Sequence, residues 1–226
     1  MDIITGDRRT YQRSASGITV LAHLLGLTAL VLMLIWLLHY REGLDLDSEN
    51  PARVFNVHPF LMYFGFIFFA AEAMMAYKTV AAAHTVKKFV HMFFNLASLV
   101  LGIVGIHAAF KYHDKLNLED MTSLHSWIGM AALCLFILQW LFGFSLFLFP
   151  QASTEYTRAR ALPWHINGGR ALLYMAICAA ETGLMQKSTF LQLNSGRESH
   201  LVNILGVSIL LFGITVDISV ALARYV

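Results

Sequence analysis

Charged residues are scarce in this chain. Asp, Glu, Lys and Arg make up 13% of its 226 residues, whereas hydrophobic residues make up 58%, and the mean hydropathy is +0.62. A soluble domain of this size carries about 25% charged residues. The deficit indicates that much of the chain does not face water. It predicts a single membrane domain over residues 1–226 and argues against two soluble domains.

Cysteine is nearly absent, which limits two kinds of chemistry. The chain has only Cys134 and Cys178, both within apolar runs, where we expect small buried residues. They cannot form a disulfide framework, and there is no Cys-x-x-Cys-His stretch for covalent haem attachment. The net charge of +2 and the lack of a nucleic-acid motif argue against a nucleic-acid partner.

Long apolar runs are abundant instead. They are continuous, whereas a membrane β-barrel needs alternating segments of about ten residues, and a lipid-exposed backbone must satisfy its own hydrogen bonds. The sequence therefore predicts an all-α membrane protein with six transmembrane helices, each able to cross a hydrocarbon core of about 30 Å. The runs lie near residues 17–40, 54–77, 89–110, 123–148, 164–186 and 201–223.

The four prolines fit these boundaries. Pro51, Pro150 and Pro163 lie at or beside the joins between runs, where proline is tolerated. Pro59 lies in the first turn of the second run, where its missing N–H costs little. The first run is longer than the apolar core of a cleavable signal peptide, about 7–15 residues, so we expect it to remain as a helix.

Lysine and arginine are distributed unevenly between the two predicted faces of the membrane. Because short cytoplasmic loops are enriched in these residues, the bias predicts that both termini are cytoplasmic. Acidic residues cluster on the other face, which suits a metal or metal chelate better than an anion. The face with the termini carries Arg8, Arg9, Arg13, Lys78, Lys87, Lys88, Arg158, Arg160 and Arg224, and the other face carries Arg41, Arg53, Lys111, Lys115, Lys187 and Arg197.

Ten histidines are many for a chain with so few charges, because ionisable groups inside a membrane are costly and are usually functional. Depth along the runs sorts four of them into pairs: His58 with His125 near the non-cytoplasmic face, and His91 with His165 near the cytoplasmic face. Cofactor sites in helix bundles are built from side chains on facing helices. The pairs predict two haem b groups about 20 Å apart, each held non-covalently by two axial histidines.

Other ionisable residues within the runs leave alternatives open. An outer pair of His39 and His107 is also geometrically possible. His23 has no evident partner at its depth, and we expect a hydrogen-bonded core histidine there. For the intramembrane acids, structural pairing and function are equally compatible with the sequence; these acids are Glu72, Glu181 and Asp217.

Five short motifs follow one another with membrane spacing. Each motif is weak alone, but together they resemble the cytochrome b561 family, the ascorbate-reducible di-haem membrane cytochromes. The sequences of the motifs are most similar to those of plant members. The resemblance extends over residues 17–223. The motifs are Phe55-Asn56-Val57-His58-Pro59, Glu72-Ala73-Met74-Met75-Ala76-Tyr77-Lys78, Lys87-Lys88-Phe89-Val90-His91, Ser123-Leu124-His125-Ser126-Trp127 and Leu162-Pro163-Trp164-His165.

The resemblance implies a core of the second to fifth helices that holds both haems, with the first and sixth helices outside. It implies axial roles for the same four histidines. It also implies ascorbate as the cytoplasmic donor and monodehydroascorbate or a ferric chelate as the acceptor on the other side. The chain would lie in the lipid of a vacuolar, other endomembrane or plasma membrane, and a homodimer is compatible with the sequence.

On the cytoplasmic side, family positions map onto four residues. Lys88 and Arg158 resemble the ascorbate contacts, and Lys78 resembles a partner of an inner haem propionate. His84 stands where members often have lysine. A cationic pocket of this kind would raise the local concentration of the ascorbate monoanion.

On the other side, Thr122 and Ser123 match polar contacts of the outer haem, and His113 matches a residue near the outer substrate. Gln186 stands where the resemblance implies a glutamate. Two further functions remain open: a haem-bearing membrane anchor subunit of a larger redox complex, and a small proton or metal transporter that uses intramembrane ionisable groups. Broken helices typical of transporters are not evident in the sequence.

Overall fold

The computed structural model describes residues 2–149 and 153–222, with side chains from residue 16 onward. Within these ranges the chain is all-helical, which confirms the predicted fold class. Six helices follow one another: α1 (Asp2–Ile35, continued by a π-helical turn Trp36–Tyr40), α2 (Pro51–Phe60, a π-helical segment Leu61–Phe68, then Phe69–Thr79), α3 (His84–Leu116), α4 (Leu124–Gly143, continued by a π-helical turn Phe144–Leu148), α5 (Glu155–Phe190) and α6 (Arg197–Leu222). Outside the described residues lie Pro150, Arg224 and the side chains of Arg8, Arg9 and Arg13.

Five of these helices are long and apolar enough to cross a membrane, so the chain is a multi-pass membrane protein. The exception is α5, a helix of 36 residues whose apolar run is interrupted by charged residues such as Arg170 and Glu181. The sixth crossing therefore stays a prediction. The five candidate spans are Ser16–Tyr40, Pro51–Thr79, His84–Leu116, Leu124–Leu148 and Arg197–Leu222.

Helices α2 to α5 form a closed four-helix bundle. α2 packs along α3 and α4 packs along α5, while contacts of α3 with α4 and of α2 with α5 close the ring. α1 packs mainly against α6, which in turn contacts α2 and α5. This is the arrangement of core and outer helices that the family resemblance implies.

Capping side chains fix where three helices of the bundle begin. Asn50 Oδ1 accepts a hydrogen bond from the N–H of Ala52 at the start of α2. Ser123 and Ser126 form a reciprocal capping box at the start of α4, and the Thr154 hydroxyl caps α5. Each cap satisfies N–H groups that the first turn leaves free.

The expectation that Cys134 and Cys178 are buried is wrong, because both side chains are exposed. In a membrane helix the residues that face lipid are as apolar as those that face the core. An apolar run therefore predicts a span but does not identify its buried face.

An ion pair joins α5 to α6. The guanidinium of Arg170 donates hydrogen bonds through Nε and Nη2 to both carboxylate oxygens of Asp217. Pairing is the usual state of charged groups at membrane depth, since an isolated charge is costly there. Of the two possibilities that the sequence leaves open for Asp217, the structure shows pairing.

We expect Asp217→Leu to destabilise the protein by about 3–5 kcal/mol, because it leaves a partly buried guanidinium without its partner. Thermal unfolding of the purified protein in detergent, followed by circular dichroism, measures the loss. The double variant Arg170→Leu/Asp217→Leu removes both charges and should recover most of the stability. A double variant as unstable as the single one would contradict this account of the pair.

Candidate functional site

Four histidines meet in two pairs inside the bundle. The ring centroids of His58 on α2 and His125 on α4 are 5.9 Å apart, with the ring planes at 84°. Those of His91 on α3 and His165 on α5 are 6.1 Å apart, with the planes at 68°. The structure thus brings together the histidines that are paired by their predicted depth. One pair joins α2 to α4, and the other joins α3 to α5.

A backbone carbonyl holds one ring nitrogen of three of these histidines. A carbonyl oxygen can only accept, so Nδ1 carries the proton and Nε2 keeps its lone pair. In His91 the amide nitrogen of Asn95 lies 3.3 Å from this Nε2. The sequence does not reveal these acceptors, because any residue can supply a carbonyl. The Nδ1-to-oxygen distances are 3.0 Å for His58 with Gly105, 2.8 Å for His91 with Ala73, and 2.7 Å for His125 with Ala179.

His165 is held by a side chain instead. The amide nitrogen of Gln139 on α4 lies 3.1 Å from Nδ1 of His165 and donates to the backbone carbonyl of His165 at 2.6 Å. Sequence reasoning misses Gln139. One signal could have found it: a polar side chain inside the apolar run of α4, 14 residues after His125 and within about 40° of its face at 100° per residue.

Each of the four histidines is hydrogen-bonded to the helix that precedes or follows its own helix in the sequence. His58 on α2 bonds to α3, and His91 on α3 bonds back to α2; His125 and His165 are held in the same way between α4 and α5. Gly105, the partner of His58, follows His91 by 14 residues on α3. At 1.5 Å per residue, the two pairs lie about 21 Å apart along the bundle. Each helical hairpin therefore presents one histidine at each level.

A cavity of about 1090 Å³ opens beside the His91–His165 pair. Phe66 and Phe136 line it towards the other pair, and their ring centroids are 4.9 Å apart. Pockets that hold cofactors or small ligands usually have volumes of about 300–1,000 Å³ and mostly apolar walls. This cavity is large enough for such a group.

The predicted cytoplasmic-site residues all line this cavity. Lys78 comes from the end of α2, His84 and Lys88 come from the start of α3, and Arg158 comes from the start of α5. Two ammonium groups and a guanidinium that line one cavity attract an anion. The Arg158 guanidinium also donates to the backbone carbonyl of Ser153, which orients it.

Two neighbouring cations point elsewhere. The Lys87 ammonium donates to the backbone carbonyl of Tyr77 at 3.1 Å, on the exposed side of α3. The Arg160 guanidinium lies 5.5 Å from the ring centroid of Tyr156. Neither is among the residues that line the cavity, so these two serve as natural comparisons for Lys88.

The predicted outer-site residues lie around the start of α4 and the end of α3. Nδ1 of His113 is 2.7 Å from a carboxylate oxygen of Asp120. Thr122 is exposed in the loop before α4. The Ser123 hydroxyl accepts from the N–H of Ser126, so in this structure it holds the first turn of α4. The roles predicted for the three residues stay predictions.

The remaining intramembrane histidines lie apart from the two pairs. Nδ1 of His23 on α1 is 2.8 Å from Oε1 of Glu72 on α2, a pairing that hydropathy alone does not predict. The His39 ring packs against Tyr40 at 4.8 Å, while His107 is exposed on α3. Within the described residues, His39 and His107 therefore do not form the alternative outer pair.

Residues 57–191 match the family model of the eukaryotic cytochrome b561. The chain belongs to this family. It is 41% identical over 201 residues to transmembrane ascorbate ferrireductase 2 of Arabidopsis thaliana, a match that covers 87% of each chain. It is 40% identical over 210 residues to probable ascorbate-specific transmembrane electron transporter 1 of Oryza sativa subsp. japonica, covering 91% of this chain and 89% of the relative. The match to transmembrane ascorbate-dependent reductase CYB561 of Sus scrofa is 36% over 201 residues and covers 86% and 78%.

Cytochromes b561 contain haem b, and the two histidine pairs fit it. Metal–imidazole bonds of about 2 Å place the centroids of two axial rings about 6 Å apart, close to the 5.9 Å and 6.1 Å observed. Glycines leave space for the rings: a Cβ on Gly183 would lie 2.8 Å from Cε1 of His125, and a Cβ on Gly143 would lie 2.8 Å from Cε1 of His165. Membership confirms the predicted family and a haem b cofactor.

Proposed function

We propose that this cytochrome b561 transfers single electrons across the membrane, from ascorbate on the cytoplasmic face to monodehydroascorbate or a ferric chelate on the other face. One observation carries the proposal: histidine pairs occupy two levels of one bundle, and a cationic cavity lies beside one of them. The printed names of the relatives, an ascorbate ferrireductase and an ascorbate-dependent reductase, support the same chemistry.

In this proposal two haem b groups are held, one by His58 with His125 and the other by His91 with His165. Each haem, when bound, supplies an iron that accepts and releases one electron. The chain supplies the axial imidazoles and, for three of them, the carbonyls that hold their Nδ1 protons, so each ring keeps one orientation. Axial ligands, hydrogen bonds and burial set the haem potentials.

The cavity beside His91 and His165 is the proposed ascorbate site. Lys88 and Arg158 would bind the oxygens of the ascorbate monoanion by charge-assisted hydrogen bonds, and Lys78 would pair with a haem propionate. Loss of one electron from ascorbate also releases one proton. His84, which lines the same cavity, would accept that proton.

Replacing Lys88 or Arg158 with glutamine should raise the KM for ascorbate about tenfold to hundredfold, because a hydrogen bond to a charged group contributes about 1.5–3 kcal/mol. Stopped-flow reduction of the haem at several ascorbate concentrations measures the change, and the haem spectrum should stay intact. Lys87→Gln and Arg160→Gln remove charges from the same face without altering the cavity and should change KM little. An equal effect in all four variants would assign binding to the general positive charge of this face.

The sidedness of the proposal comes from the distribution of Lys and Arg, which favours a cytoplasmic location for both termini. The cationic cavity would then face the cytoplasm, and the His58–His125 pair would deliver electrons on the other side, near Thr122, Ser123 and His113. The named membrane, whether vacuolar, other endomembrane or plasma, and a homodimer stay predictions.

The proposal competes with an anchor subunit and with a proton or metal transporter. The pairing of Glu72 with His23 and of Asp217 with Arg170 favours a structural role for these groups over a transport path. A reduced-minus-oxidised spectrum of the purified protein with ascorbate alone separates the three functions. The proposal predicts rapid reduction of about two b haems per chain. A transporter would show no haem bands, and an anchor subunit would stay largely oxidised without its partner.

A further inference from the structure

Most cations on the predicted outer face are paired with a carboxylate. The Lys111 ammonium, for example, donates to Asp47 at 2.9 Å, and this hydrogen bond holds the pKa of the Asp47 carboxyl below its ordinary value. A cation paired in this way offers little net charge to a ligand. The pairs are Arg41 with Glu198, Arg53 with Asp45 at 3.8 Å, Lys111 with Asp47 at 2.9 Å and Lys115 with Glu49 at 3.6 Å.

Lys187, in the last turn of α5, is different. Among the described side chains no carboxylate lies within 4.0 Å of its ammonium. The ammonium lies 4.0 Å from the ring centroid of Phe55 and 5.9 Å from that of Tyr112, and the side chain is half-buried. Burial and the nearby Arg41 guanidinium lower the pKa of Lys187 to about 8, whereas the aromatic faces and the C-terminal end of α5 favour its charged form. Arg197, the other outer cation without a carboxylate at this distance in the described region, is exposed to solvent.

The two aromatic rings beside the Lys187 ammonium, those of Phe55 and Tyr112, connect it to the outer histidines. The ring of Phe55 is 5.8 Å from that of His58 and 4.9 Å from that of Tyr112. The ring of Tyr112 is 5.9 Å from that of His113. A single aromatic ring therefore separates the ammonium from a histidine that we propose as an axial ligand.

The residue before Lys187 in the sequence, Gln186, is also uncharged. The family resemblance implies a glutamate at that position, directly before the lysine. An amide in its place removes a negative charge next to the ammonium. In this chain no carboxylate directly precedes Lys187.

We infer that Lys187 binds the anionic electron acceptor on the outer face, with Phe55 and Tyr112 holding its ammonium in position. The inference rests on the proposed function and specifies its acceptor site. The ligand chemistry is a small redox-active anion, either an anionic ferric chelate or monodehydroascorbate. Lys187 is the half-buried one of the two outer cations described without a carboxylate within 4.0 Å, and it would draw an anion towards the His58 side of the bundle.

Lys187 acts as a positioning residue and takes no part in the electron balance. Ascorbate on the inner face supplies one electron. A bound ferric chelate takes up that electron and becomes ferrous without a proton, whereas monodehydroascorbate takes up the electron together with one proton to give ascorbate.

The test compares an anionic oxidant, ferricyanide, with a cationic one, hexaammineruthenium(III). Both are added outside sealed vesicles that contain the full-length holoprotein and trapped ascorbate. Lys187→Met keeps the length of the side chain and should raise the KM for ferricyanide about tenfold while leaving the KM for hexaammineruthenium(III) unchanged. Lys187→Arg should restore ferricyanide reduction, and Gln186→Glu should weaken it.

Lys115→Met is the matched control, because it removes the same charge from the same face at a position paired with Glu49, and it should change neither KM. The haem spectrum of each variant checks that the bundle is intact. An unchanged KM for ferricyanide in Lys187→Met would overturn the inference. An equal loss with both oxidants, together with a shifted haem potential, would also overturn it, because Lys187 would then hold a haem carboxylate. A wild-type protein that reduces neither oxidant would refute the proposed function itself.

Discussion

His125→Ala should lower the haem content of the purified protein from the proposed two per chain to one. The structure places the His125 ring 5.9 Å from that of His58, with Nδ1 bonded to the carbonyl of Ala179, which leaves Nε2 to bind a metal. Alanine removes the ligand and leaves one imidazole, which holds a haem far less firmly than two. The pyridine haemochrome assay gives the stoichiometry, and the reduced-minus-oxidised spectrum identifies the band that is lost.

His165→Ala should also remove one haem, but a different one. The remaining haem would then be the outer one, so direct reduction by ascorbate should slow sharply, whereas in His125→Ala the inner haem should still be reduced. His107→Ala is the control, because this histidine is exposed on α3, outside both pairs. A loss of haem in His107→Ala with full retention in His125→Ala would contradict the pairing.

The second large effect is steric. Gly183→Ala should displace the His125 ring, because the new Cβ would lie 2.8 Å from Cε1 and 2.9 Å from Nδ1 of that ring. Helix propensity alone predicts the opposite, since alanine stabilises a helix relative to glycine by about 1 kcal/mol. We therefore expect a protein that keeps its helix content but is deficient in haem, measured as haem per chain against circular dichroism. Gly143→Ala should act in the same way on His165.

Gly129→Ala provides the comparison for these glycines. It lies on α4, where an added Cβ would meet the Cβ of Ala179 at 3.9 Å, which is an ordinary van der Waals contact. This variant should retain both haems. If all three glycine variants bound haem normally, the glycines would not be needed to seat the histidine rings.

Hydropathy predicts where the helices of this protein lie in the sequence, but it does not predict which side of each helix is buried. The runs near 54–77 and 89–110 correspond to α2 and α3, which extend further at both ends. A membrane-spanning helix must be apolar overall, but its buried face need not be more apolar than the face that contacts lipid. This is why Cys134 and Cys178 lie on exposed surfaces although both were expected in the core.

The histidine pairing is largely predictable because it depends mainly on depth. Successive helices alternate in direction, so every second helix starts at the same face of the membrane. His58 and His125 both lie near the start of such helices, α2 and α4, and are therefore at the same level. The groups around the rings are less predictable. Gly105 contributes a backbone carbonyl, which no side-chain pattern encodes. Gln139 and Lys187 depend on which way a helix is rotated, and that rotation is set by packing.

The central claim is that electrons cross the membrane through this one chain, and sealed vesicles test it most directly. Vesicles carrying the purified holoprotein are loaded with ascorbate, and an impermeant ferric chelate is added outside with a dye that reports ferrous iron. The account predicts ferrous iron outside wild-type vesicles, and a rate near that of protein-free vesicles when either His125 or His165 is replaced by alanine. Wild-type vesicles that reduce no external chelate, or histidine variants as fast as wild type, would contradict it.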